Sequence, residues 1–255
     1  MSTLMRTVAD DVPAESCVRL GMLTPSSNTV LEPVCGKMLR CVPEVSVHFG
    51  RFRVTEISHR SEATDQFAQE PMLQAAGLLA DAHVNVICWN GTSACWLGLN
   101  RDRDFCSALS RSTGVPATSS VLALFEVLRG AGLKRVALVT PYIDQVQGLI
   151  VETFAAEGFT VTDEQHLDLS ENFAFGEVRA WKIAEMIRTV AATGPQAVLV
   201  LCTNLRAAPL VAELEAEIGL PILDSVATAV WGALRLTRVP PGRIRGWGRL
   251  FQGFK

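Results

Sequence analysis

The chain carries an internal repeat, which limits its possible folds more than any other feature. Arg19-Leu-Gly-Met-Leu-Thr-Pro25 is matched by Arg135-Val-Ala-Leu-Val-Thr-Pro141. The apolar run before Gly91-Thr92-Ser93 is matched by the run before Cys202-Thr203-Asn204, and Gly114-Val115-Pro116 by Gly219-Leu220-Pro221. The offsets are 116, about 111 and 105 residues, in the same order along the chain. Three matches in register exceed what the common strand-turn-helix grammar of α/β units should give. The 255 residues are 49% hydrophobic and 19% charged. That is enough for two lobes of ~120 residues, each with a core that needs no staple.

Short apolar runs at 18–23, 84–89, 135–139 and 197–201 predict buried strands, with a strand-like alternation at 45–54 and a short strand at 160–162. Helices are expected near 30–39, 66–82, 102–113, 120–130, 177–192, 210–218 and 225–236. Asp144 is placed to cap a further helix, with Val146, Leu149, Ile150, Thr153 and Phe154 on one face and Gly158 at its end. Strands alternating with helices imply parallel sheets covered on both faces. The expected fold is α/β: two pseudo-symmetric lobes, each a parallel sheet flanked by helices, with the active site between them. The first lobe is expected to span 18–119 plus 225–252 and the second 120–224, after a flexible stretch at 1–17.

Open parallel sheets bind ligands beyond the carboxyl ends of their strands. The repeat therefore turns four post-strand segments toward one cleft: 25–28, 91–93, 141–142 and 202–204. They supply Ser, Thr, Asn, Tyr and Cys but no Lys, Arg or His. Asn28 and Ser93 fall near expected helix N-termini, where main-chain N–H groups, hydroxyls and amides suit a carboxylate or an enediolate. Gly91 is read as allowing close approach of the backbone. Thr92, Ser93 and Asn28 could equally be helix caps. Arg51 and Arg53 are expected near the cleft mouth without a role, Trp89 and Trp96 as packing residues, and Glu126 and Asp224 as structural. Trp96 could also shape specificity.

Other function classes find little support. Net charge is −3 with no basic run, which disfavours nucleic acid and anionic membranes. No apolar stretch reaches ~18 residues uninterrupted, so no membrane span is expected. The start of the chain lacks an apolar signal region. Seven irregularly spaced cysteines without a CxxC pair read as free thiols in a reducing cytoplasm. The four histidines are scattered, so no metal site is expected, and no GxGxxG or Walker loop points to a nucleotide. The expected partner is a small carboxylate or dicarboxylate, with no cofactor; homo-oligomers are common for such folds, but no face can be singled out.

The turn residues resemble a known family. Pro25-Ser-Ser-Asn-Thr-Val-Leu-Glu-Pro33, Gly91-Thr92-Ser93, Thr140-Pro-Tyr-Ile-Asp144, Glu171-Asn172 and Gly246-Trp-Gly-Arg-Leu-Phe251 resemble segments of the aspartate/glutamate racemase superfamily. The similar branch holds maleate cis-trans isomerases and arylmalonate decarboxylase, and the likeness spans about 18–252. The resemblance implies a catalytic cysteine at Cys202. It also implies substrate and oxyanion contacts from Pro25, Asn28, Gly91, Thr92, Ser93, Tyr142, Asn172 and Thr203. Racemases of the family place a second cysteine at the position of Gly91, where the decarboxylase, like this chain, has a glycine. Cys95 lies about one helical turn further on and Cys88 inside a strand, so neither is expected to replace it.

A single cysteine favours proton transfer to one face. The leading expectation is decarboxylation of a small malonate-like diacid through an enediolate, with Cys202, at a pKa of ~7 to 8.5, as proton donor. The alternatives are a maleate cis-trans isomerase or Asp/Glu-type racemase, and a non-catalytic diacid-binding protein. Asn28 and Asn172 follow the isomerase pattern and suit a second polar group. Restoring a cysteine at position 91 is expected to create racemase behaviour.

Overall fold

The computed structural model describes residues 17–57 and 69–253. Two four-stranded parallel sheets carry the chain. The first uses β1 (Val18–Pro25), β2 (Val45–Phe52), β3 (Val86–Trp89) and β4 (Ala117–Ser119) in the order β2-β1-β3-β4. The second uses β5 (Arg135–Thr140), β6 (Thr160–His166), β7 (Ala197–Val200) and β8 (Ile222–Asp224) in the order β6-β5-β7-β8. The two orders are the same, so the sequence repeat is a structural repeat.

Burial explains why these segments are strands. All four residues of β3 and all four of β7 are buried, as central parallel strands covered on both faces require. The edge strand β6 is half-exposed and polar, reading Thr-Val-Thr-Asp-Glu-Gln-His. It runs beyond the expected 160–162 because this polar alternation lacks the apolar signature of an inner strand.

The helices are α1 (Leu31–Met38), α2 (Gln69–Asp81), α3 (Ala94–Leu97), α4 (Leu99–Thr113), α5 (Ser120–Gly130), α6 (Asp144–Ala156), α7 (Asn172–Gly176), α8 (Ala180–Ala191), α9 (Val211–Ile218) and α10 (Ser225–Leu236). The repeat reaches their ends. Helices α4 and α9 both stop at a left-handed glycine, Gly114 (φ 71°) and Gly219 (φ 81°), a conformation that costs glycine little. Helices α5 and α10 start at equivalent side-chain caps. Ser119 accepts from the Leu122 N–H, and Asp224 from those of Val226 and Ala227.

Two expectations change. Asp144 does not cap α6: Ile143 precedes the helix, and the Asp144 side chain is 92% exposed with His166 Nε2 3.9 Å away. Helices α3 and α7 were not foreseen, because four or five residues are too few to show a helical period. Residues 1–16 and the first turn of the helix expected from 66 lie outside the described residues.

Asp224 gives the fold a pH signature. Its Oδ1 caps α10, its Oδ2 is buried without a partner, and burial pushes the carboxyl up to about 7. In the unfolded chain it titrates near ~3.9. Between those values the folded state holds the extra proton, so this group lowers stability as pH rises from about 4 to about 7. Asp224→Asn keeps the cap and removes the titration. Urea midpoints between pH 5 and 8 should fall less for Asp224→Asn than for the parent; parallel curves would contradict this.

Candidate active site

The post-strand turns meet between the two sheets and interlock. Asn28 Oδ1 caps α1 by accepting from the Val30 and Leu31 N–H groups, both at 2.9 Å. Its Nδ2 donates to Thr203 Oγ1 of the other sheet at 3.1 Å. Thr203 Oγ1 in turn donates to the Asn90 carbonyl at 3.0 Å. Asn204 mirrors Asn28: its Oδ1 accepts from the Thr29 N–H (2.9 Å) and its Nδ2 donates to the Asn172 carbonyl (2.6 Å). Asn172 Nδ2 reaches Ser27 Oγ at 2.7 Å. Arg51 braces the first turn from outside by donating to the Ser26 and Asn28 carbonyls while paired with Glu32.

This frame encloses a cavity lined by Pro25, Ile57, Trp89, Gly91, Thr92, Ser93, Trp96, Tyr142, Asn172, Cys202 and Thr203. Of the nine residues expected at the site, eight line it. The ninth, Asn28, is not among the lining residues; its amide is spent on the α1 cap and the Thr203 bond. The free space is about 20 Å³, room for about one water.

Cys202 follows β7 and is 3% exposed. Burial pushes its thiol up to about 12, although the Asn204 N–H at 3.3 Å and the Tyr142 hydroxyl pull it back. The expected value of ~7 to 8.5 is therefore corrected: in the closed cavity the thiol is neutral and suits a proton donor. Tyr142 is fully enclosed, with its hydroxyl 2.6 Å from Thr92 Oγ1 and hydrogen-bonded to Cys202. Its ring packs edge-on against Trp96 (5.1 Å) and Phe175 (5.6 Å). Among the described residues, no acceptor is paired with the main-chain N–H groups of Thr92, Ser93 and Thr203. An oxyanion in the cavity could take them up.

Position 91 is equivalent to position 202 in the repeat, and the wall there has no reactive side chain. The backbone does not demand glycine, since Gly91 is absent from the residues with positive φ. The demand comes from Trp89. A Cβ built on Gly91 would lie 1.9 Å from Trp89 Cζ2 and 2.4 Å from Cη2. Gly91 thus makes room for an indole of its own strand end, and it also lines the cavity. Trp89, expected as packing, is both core and cavity wall: it is 1% exposed and its ring stacks at a tilt on Phe52. The glycine and the tryptophan are both plain in the sequence, but their clash depends on how the strand end folds back. Cys95 is buried and does not line the cavity, and Cys88 lies within β3. Among the described residues no group of three or more His, Cys, Asp or Glu could hold a metal, and no helix is long and apolar enough to cross a membrane.

The sequence model of the arylmalonate decarboxylase family matches residues 40–251. Maleate isomerase of Nocardia farcinica is 29% identical over 243 residues, covering 92% of this chain and 95% of that one. Arylmalonate decarboxylase of Bordetella bronchiseptica is 26% identical over 238 residues, covering 91% and 95%. Among solved structures, a Nocardia farcinica maleate cis-trans isomerase variant with a covalently bound succinylcysteine intermediate superposes with a TM-score of 0.86 at 26% identity, covering 94% of this chain and all of that one.

Proposed function

This chain belongs to the arylmalonate decarboxylase family, an enzyme of the isomerase or lyase kind, and from that premise we propose that it decarboxylates a small malonate-like diacid without a cofactor. The observation that carries this reading is the asymmetry of the cavity. One sulfur, that of Cys202, faces it, and the equivalent wall is Gly91 covered by an indole. A racemase needs an acid and a base on opposite faces, and attack on maleate needs a thiolate. A lone neutral thiol suits neither, but it suits delivery of one proton.

The proposed reaction breaks the bond between the α-carbon and one carboxylate. Carbon dioxide leaves, and the electron pair stays on the α-carbon, delocalised into the remaining carboxylate as an enediolate. The hydroxyls of Thr92, Ser93 and Tyr142 and the N–H groups of Thr92, Ser93 and Thr203 hold its oxygens. The Cys202 S–H gives its proton to the α-carbon from one face. The Asn204 N–H and the Tyr142 hydroxyl hold the resulting thiolate until water reprotonates it. Net, one proton is consumed and one carbon dioxide released. Asn172 and Pro25 shape the rim. The lobes that close around the substrate are assigned to 18–119 with 225–252 and to 120–224.

The test is proton NMR of the purified protein in D2O with maleate, methylmalonate, phenylmalonate and aspartate. Carbon dioxide loss from a malonate with one deuterium gained is the expected result. Conversion of maleate to fumarate, the reaction named for several relatives, would replace this reading with the isomerase one.

A second expectation concerns Tyr142. Tyr142→Phe removes a hydroxyl that touches both Thr92 and Cys202. Turnover should fall about 10²-fold, the usual cost of one oxyanion donor, with KM little changed. A drop of less than ~3-fold would remove Tyr142 from the site.

A further inference from the structure

Trp89 stands between two cavities. On one side is the cavity of Cys202. On the other is a second one, also about 20 Å³, lined by Gln69, Met72, Arg101, Asp102 and Phe105 and sharing Trp89 and Ser93 as its wall. The indole therefore forms, with Ser93, a wall common to both cavities. Its six-membered edge occupies the space any side chain at position 91 would need. It also forms part of the wall of the Cys202 cavity, on the side where a substituent larger than methyl would have to extend.

We propose that Trp89 is the size-determining residue of the site: it restricts substrates to small α-substituents, and removing its outer ring joins the two cavities into one pocket that accepts an aryl group. The proposal rests on the reading of the Cys202 cavity as the reaction site. The far end would receive an aromatic group against Met72 and Phe105, with Gln69 and Arg101 on its polar side. Asp102 at its base is 3% exposed and accepts a hydrogen bond from Ser119, which ties it into the fold and disfavours a second carboxylate there.

The variants are Trp89→Leu and the milder Trp89→Phe, both of which remove the outer ring whose Cζ2 and Cη2 meet position 91. The first readout needs no ligand. Gly91→Ala should lower the thermal midpoint by several degrees, on the order of 4 °C or more, in the parent. In either Trp89 background it should lower it by much less, because the blocking ring is gone. The second readout is binding of methylmalonate and phenylmalonate by calorimetry. The parent should prefer methylmalonate. The Trp89 variants should shift the ratio of affinities toward phenylmalonate by about 10- to 100-fold.

An equal Gly91→Ala penalty in all backgrounds overturns the proposal. So does an unchanged ratio of affinities, or failure of every variant to bind either ligand. A shifted ratio without carbon dioxide release from either diacid would sink the decarboxylase reading and leave Trp89 as the gate.

Discussion

Cys202→Ala abolishes turnover, with an expected loss of about 10³-fold or more, while affinity for a malonate-like diacid stays within a few-fold of the parent. The reason is geometric. The cavity contains one thiol, and its neighbours Asn204 and Tyr142 are already arranged to hold the sulfur after the proton has left. Alanine leaves the frame of Asn28, Thr203 and Asn204 untouched, so folding and binding should survive. Cys202→Ser sharpens the test. A serine hydroxyl keeps the shape and the hydrogen bonds but is a far weaker acid than even this buried thiol. Its activity should also be low, and pH should not rescue it. Residual activity above a tenth of the parent for the alanine variant would place the proton elsewhere. Unchanged binding with no activity in the parent itself would support the diacid-binding alternative.

Asn28→Ala should be the most damaging polar substitution for stability, at about 2–4 kcal/mol. The cap on α1 contributes ~1 kcal/mol. The lost partner of the buried Thr203 hydroxyl adds ~1–3 kcal/mol. Asn28 also joins the two sheets through Thr203, so its removal loosens the walls of the cavity as well as one helix. Turnover should drop with stability even though Asn28 does not line the cavity. Asn28→Asp separates the two functions. It keeps the oxygen that caps α1 and loses the donor to Thr203, so it should recover about half of the lost stability. Equilibrium unfolding of the three proteins decides this. A cost below ~1 kcal/mol for Asn28→Ala would mean that the interlock is not a source of stability.

Much of this is legible in the amino-acid sequence. The apolar runs of β1, β3, β5 and β7 identified the inner strands, and the matched Thr-Pro and Gly-x-Pro turns predicted two similar halves. Those turns also predicted which segments meet, because a parallel sheet exposes its carboxyl ends together. What stayed hidden depended on long-range contacts. No pattern in the sequence shows that Asn28 would be drawn into a cap and a bond across the lobes 175 residues away. The state of Cys202 was misjudged for the same reason: a strand-end cysteine can be exposed and acidic or enclosed and neutral, and only the surrounding walls decide. The sequence offers close backbone approach as the reason for Gly91; the Trp89 indole, two residues earlier on the same strand end, is a second reason that only packing shows. The polar edge strand β6 and the short helices α3 and α7 lacked enough periodic signal to be read.

One-sided protonation leaves a stereochemical record in the product. A methyl-substituted malonate, made chiral by carbon-13 in one carboxylate, is decarboxylated in D2O, and the product is examined for configuration, isotope position and deuterium content. The account predicts a single enantiomer, one deuterium at the α-carbon and loss of one defined carboxylate. A racemic product, or no carbon dioxide release alongside efficient conversion of maleate to fumarate, would contradict it.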